Sequence, residues 1–112
     1  MKSNTYFYKA KILNVYDADT VTALVDLGFG ISTKMKIRLH GIDAPELRGE
    51  ERPEGLAARN YLRGMIDDRE VVIETIKDKT GKYGRYLGII YFNDQNINDL
   101  LVETKHAIYK DY

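Results

Sequence analysis

The 112-residue chain has no cysteine, no tryptophan and only two histidines, His40 and His106. Without cysteine there is no disulfide, no thiolate-bound zinc, no iron–sulfur cluster and no thiol nucleophile. Two histidines leave little for a His-rich metal centre. Net charge is also lacking, since seventeen Lys+Arg balance seventeen Asp+Glu. Overall charge therefore gives no pull toward nucleic acid, and any anion site has to be built locally. No apolar run approaches the length of about 18 residues that spans a bilayer. The opening MKSNTYFYKAK lacks the apolar stretch of a signal peptide. The expectation is a soluble chain without a membrane partner, either cytoplasmic or the mature form of a secreted protein. Repeats, low-complexity tracts and linkers are missing too, so residues 1–112 read as one domain. What remains is ordinary globular composition, 44% hydrophobic and 30% charged, with nine tyrosines.

Hydrophobic periodicity orders the chain as βββαββα. Residues 6–16 read as a strand, followed by the turn Asp17-Ala18-Asp19. In 20–27, Val21, Ala23, Val25 and Leu27 alternate with more polar neighbours, and Gly28-Phe29-Gly30 is a short hairpin connection. In 31–39, Ile31, Thr33, Met35, Ile37 and Leu39 alternate with Ser32, Lys34, Lys36 and Arg38. The charged stretch 46–54 reads as a mobile loop. From Pro53 the period becomes helical, with Ala58, Tyr61, Leu62, Met65 and Ile66 on one stripe and Arg59 and Arg63 off it. Strands follow at 70–76 and 86–92, apolar on both faces, and a short helix at 96–105 carries Ile97, Leu100 and Leu101. The predicted class is mainly-β α+β: a closed five-stranded OB-fold barrel with packed helices, which removes exposed sheet edges.

A hairpin pivoting at Phe29 pairs positions that sum to about 58, setting Thr20 opposite Arg38. Asp19, Arg38, Asp43 and Glu46 then gather at one rim although up to 27 positions separate them. Carboxylates crowded in this way repel unless a cation compensates, either a hard metal ion or an arginine. An all-oxygen donor set points to one Ca²⁺, less to Mg²⁺, held by Asp19, Asp43 and the Ala44 carbonyl that Pro45 keeps extended. Taken singly, each Asp also suits a turn or an Asx cap, and Arg38 a solvated face. The loop Lys77–Arg85 is basic, and Arg38 with Arg85 can grip a phosphoryl group bidentately. Tyr83 offers a hydroxyl to phosphate or a ring to a base. Glu46 is left to take a proton from water. Together these residues suit phosphodiester hydrolysis.

Asp17-Ala18-Asp19-Thr20, Ile37-Arg38-Leu39 leading into Ile42-Asp43-Ala44-Pro45-Glu46, and Lys82-Tyr83-Gly84-Arg85 resemble, in order and spacing, the staphylococcal nuclease (thermonuclease) family. The resemblance runs from about Tyr8 to Tyr109. It implies an OB-fold enzyme that cleaves DNA and RNA with Ca²⁺ and leaves 3′-phosphate and 5′-hydroxyl ends. Single strands are the expected preference, because a nucleotide pocket on a barrel rim needs an accessible phosphate and an unstacked base. The resemblance implies Asp19, Asp43 and the Ala44 carbonyl as calcium ligands, and Arg38, Glu46 and Arg85 as catalytic residues. It also implies Lys82, Tyr83 and Tyr109 as substrate contacts. Three departures stand out: the absent net positive charge, Ala18 where the family commonly has glycine, and a family C-terminal helix that lies past the position of Tyr112. No obligate protein partner is evident, and a monomer is the expectation. The alternatives are a non-catalytic nucleic-acid-binding OB module and a protein-interaction barrel. Retention of Asp19, Arg38, Asp43, Glu46 and Arg85 favours catalysis over both.

Overall fold

β-branched and aliphatic residues on alternating positions build long strands that bend around one core. The computed structural model describes residues 5–80 and 85–110. Strand β1 (Thr5–Asp17) pairs antiparallel with β5 (Glu70–Thr80) through its first half and with β2 (Thr20–Gly28) through its second. Strand β2 pairs with β3 (Ile31–Leu39), and β5 with β6 (Tyr86–Phe92). Parallel pairing of Ile37, Arg38 and Leu39 with Tyr86, Leu87 and Gly88 joins β3 to β6 and closes the five-stranded barrel. The fold is mainly β with two helices, as the periodicity predicts. Short pairs complete it: β7 (Gln95–Asn96) extends β6, and β4 (Ile42–Asp43) pairs with β8 (Ile108–Tyr109).

Strand β5 runs on to Thr80, past the predicted end at residue 76. The stretch expected as a loop at 46–54 is shorter, because Gly49–Glu51 forms a 3₁₀ turn and helix α1 (Arg52–Ile66) begins directly after it. Pro53 suits that start, where an N–H has no helical partner. Ala58, Leu62 and Ile66 of α1 are fully buried, with Tyr61 and Met65 packed beside them, as the stripe predicts. Helix α2 (Ile97–Glu103) is capped by the Asn96 carboxamide, which accepts the Asp99 N–H at 3.0 Å, and buries Ile97 and Leu101. Ile12, Val15, Val21, Ile37, Leu39, Ile73 and Ile90 complete the core. Among the described residues no helix is long and apolar enough to cross a membrane.

Two local features position the rim. Register shifts in β1 after Ile12 and after Val15 are β-bulges, and the Val15 carbonyl at the second accepts a bond from Arg63 Nη2 at 2.8 Å. Gly55 is buried against the 45–46 backbone: a Cβ there would lie 2.8 Å from the Glu46 carbonyl carbon and 3.0 Å from the Pro45 oxygen. Only glycine lets α1 approach so closely.

Candidate nuclease active site

The turn after β1 and the end of β3 meet as the register requires, with Thr20 opposite Arg38. Ala18 makes that turn without a positive φ, so the missing glycine is no obstacle. The Arg38 guanidinium is buried and fixed from two sides. Its Nη1 donates to the carbonyls of Leu39 and Ile42, each at 3.0 Å, and approaches that of Asp19 at 3.5 Å. Its Nη2 lies 3.3 Å from Asp43 Oδ1 and 3.4 Å from Asp19 Oδ2. Of the two compensations open to the carboxylates, the structure shows the arginine.

Asp19 is held from every side. Its Oδ2 also accepts the Ala44 N–H at 2.9 Å, and its Oδ1 accepts the Thr20 hydroxyl at 3.2 Å. That hydroxyl accepts a bond from Arg85 Nη1 at 3.2 Å. Thr20 therefore links Arg85 to Asp19, and both arginines adjoin one buried acid. Sequence reasoning placed Thr20 opposite Arg38 and within the Asp17–Thr20 motif but gave it no role, because a hydroxyl relay has no periodic signature. Asp43 is more open, and its Oδ2 faces Lys110 Nζ at 3.8 Å. Asn98 was also missed: its Nδ2 donates to the carbonyls of His40 and Gly88, and its Oδ1 accepts the Ile90 N–H, tying α2 to the end of β3.

Asp19, Arg38, Asp43, Ala44 and Arg85 thus come together. Glu46 follows two residues after Ala44, exposed, with its N–H donating to Glu51 Oε1 at 2.9 Å. Tyr109 lies opposite Ile42, next to Asp43, and its hydroxyl donates to Asp99 Oδ1 at 3.1 Å, so it is turned to α2. Lys82 and Tyr83 lie outside the described residues.

The family described as staphylococcal nuclease homologue matches residues 36–112. The chain belongs to the staphylococcal nuclease family. It is 36% identical over 77 residues to "Probable staphylococcal-like nuclease CAN3" of Oryza sativa subsp. japonica, covering 69% of this chain and 19% of that protein. It is 28% identical over 104 residues to the thermonuclease of Staphylococcus intermedius, covering 90% and 59% of the two chains. It is 29% identical over 103 residues to an uncharacterized endonuclease of Haemophilus influenzae, covering 91% and 53%. The chain therefore spans less than two-thirds of each of these relatives.

The family implies a metal ion, and the donors can be judged against it. Two carboxylates already share one positive nitrogen, which is the charge pattern a hard cation needs. Among the described residues no three acidic or histidine side chains converge on one point. An ion at this rim would be held by these two carboxylates, with solvent or substrate oxygens completing its shell, and not by a closed protein cage.

Next to this pair, the Asp17 carboxyl is pushed up from 3.8 to about 7. Burial is the main cause, followed by the side-chain hydrogen bond and negative charge of Asp19; the Asp19 N–H and the Arg38 charge pull the other way. The folded chain then keeps a proton that the unfolded chain releases. Stability from this group is complete below 3.8 and disappears as pH rises through about 7. In chelator, the urea midpoint is expected to fall from about pH 4 to about pH 7 and to level off above that, and Asp17→Asn to flatten the fall. An unchanged slope in the variant removes Asp17 as the cause.

Proposed function

We propose that the chain is a Ca²⁺-dependent nuclease that hydrolyses phosphodiester bonds of DNA or RNA, preferring single strands and leaving 3′-phosphate and 5′-hydroxyl ends. The observation that supports it most is the single Arg38 nitrogen within 3.4 Å of both Asp19 and Asp43, with Arg85 joined to the same acid through Thr20. Asp19, Asp43 and the Ala44 carbonyl would hold the ion. Bound there, calcium supplies Lewis-acid polarisation of a phosphoryl oxygen.

The chain's own residues do the rest. Arg38 is anchored by carbonyls at one nitrogen, so its other face is oriented before substrate arrives. Arg38 and Arg85 bind the phosphoryl oxygens and neutralise the charge that grows on them in the five-coordinate transition state. Glu46 accepts a proton from the attacking water. The water oxygen bonds to phosphorus, the phosphorus–O5′ bond breaks, and the departing O5′ takes up a proton. Single strands are preferred because a site at a barrel rim needs an accessible phosphate and an unstacked base. Little base specificity is expected from phosphate contacts.

A gel assay on single-stranded DNA and RNA tests the reading. Digestion is expected with added Ca²⁺ and none in excess chelator. Persistent digestion in chelator removes the metal. Binding without digestion under any divalent ion leaves the non-catalytic module.

A further inference from the structure

Beside Arg85, on the outer face of the barrel, lies a groove of about 370 Å³ lined by Asn14, Tyr16, Thr20, Thr22, Lys36 and Arg85. We propose that this groove is a second nucleotide subsite, which holds the part of a single strand adjoining the scissile phosphate. The proposal rests on the nuclease reading and extends it along the substrate.

Strand register builds the groove. Asn14, Thr22 and Lys36 stand in one cross-strand row over β1, β2 and β3. Thr20 and Arg38 form the next outward row toward the rim. The bulge between Val15 and Asp17 leaves Tyr16 unpaired and turns it out, 63% exposed, beside that row. The groove therefore begins at the phosphate-binding arginine and leads away from it across the sheet.

Its chemistry is that of single-strand recognition. Among the described residues the lining has two cations, one tyrosine ring, three hydroxyls and an amide, and no carboxylate. In a chain without net charge this is a local excess of positive charge. Lys34, exposed two residues before Lys36 on the same face of β3, continues it. The spacing along Lys34, Lys36 and Arg38 is roughly 7 Å per step. Backbone-tracking cations beside a stacking ring bind single strands with little regard to sequence. The volume is in the range of a small-ligand site, enough for one nucleotide unit.

The test compares a thymidine dinucleotide with an oligothymidylate of about twelve nucleotides, a length that exceeds the rim site. The parent is expected to show higher kcat/KM on the longer substrate. In Tyr16→Ala/Lys36→Glu the ratio of long to short is expected to fall about tenfold. Arg69→Glu, at an exposed turn after α1, serves as the charge control and is expected to keep the parent ratio. An unchanged ratio in the double variant, or one that falls equally in the control, overturns the proposal. If the parent cuts neither substrate, the nuclease reading fails and the groove is judged by fluorescence anisotropy with the labelled oligothymidylate. A dissociation constant raised about tenfold in the double variant alone then supports the groove, and equal affinities overturn it.

Discussion

Replacing Arg85 with alanine is expected to lower kcat on single-stranded DNA by about 10²–10³-fold while the fold survives. Arg85 sits just before β6, half-buried, and donates to the Thr20 hydroxyl at 3.2 Å. Losing a hydrogen bond to a hydroxyl costs about 1 kcal/mol, which shifts the melting temperature by only a few degrees in a chain of this size. Transition-state charge is another matter, because in the proposed reaction a second guanidinium would act where the phosphoryl oxygens gain negative charge. Arg85→Lys keeps the charge and loses the planar fork, so it should recover only part of the rate. Stopped or gel-based turnover beside a thermal melt separates the two effects. Near-parental kcat in Arg85→Ala, with an intact melt, ends its role in the reaction.

The hairpin made the acid–arginine cluster legible. Clean alternation in β2 and β3 and a turn centred on Phe29 fix Thr20 against Arg38, and the structure has that pair. The bulge near the tip, between Asp26 and Gly28, lies too far out to disturb it. Bulges in β1 were not legible, because strict alternation from Ile12 would turn Val15 outward, whereas the inserted residue buries it. Arg63 offered no signal beyond lying off the apolar stripe. Its bond to the Val15 carbonyl crosses 48 positions, and no periodicity carries a contact of that range. The β4–β8 pair is two residues long on each side, too short for any period to show. It decides where Tyr109 goes, so the tyrosine's attachment to Asp99 could not be anticipated. Lys-Asp-Lys-Thr at the end of β5 looked like loop because it is polar. A strand needs only backbone partners, and Thr80 has one in Tyr86. Gly55 carried no signal for the approach it permits, since glycine inside a helical pattern reads simply as a weak helix former.

Arg38 is where stability and function meet, and its removal is expected to cost about 3–5 kcal/mol, the range for an ion pair broken on one side in a buried setting. Arg38 and Asp19 side chains are each 10% exposed. Truncation to alanine strips the counter-charge from Asp19 and leaves the Leu39 and Ile42 carbonyls without that donor. A lysine in its place offers one ammonium where the guanidinium reaches carbonyls with one nitrogen and carboxylates with the other. Urea unfolding in chelator measures the loss, and a cycle with Asp19→Asn shows its origin. If the unpaired charge dominates, Asp19→Asn in the Arg38→Ala background restores stability, with a coupling of about 1–3 kcal/mol. If Arg38→Ala costs under about 1 kcal/mol, as an exposed pair does, the buried bridge is not what holds the rim. The chelator matters to the reasoning, because a divalent ion between the same two carboxylates would supply the positive charge that the alanine variant lacks. Arg38 thus keeps two acids together in the resting fold, which is the pre-organisation that the proposed phosphoryl chemistry would use.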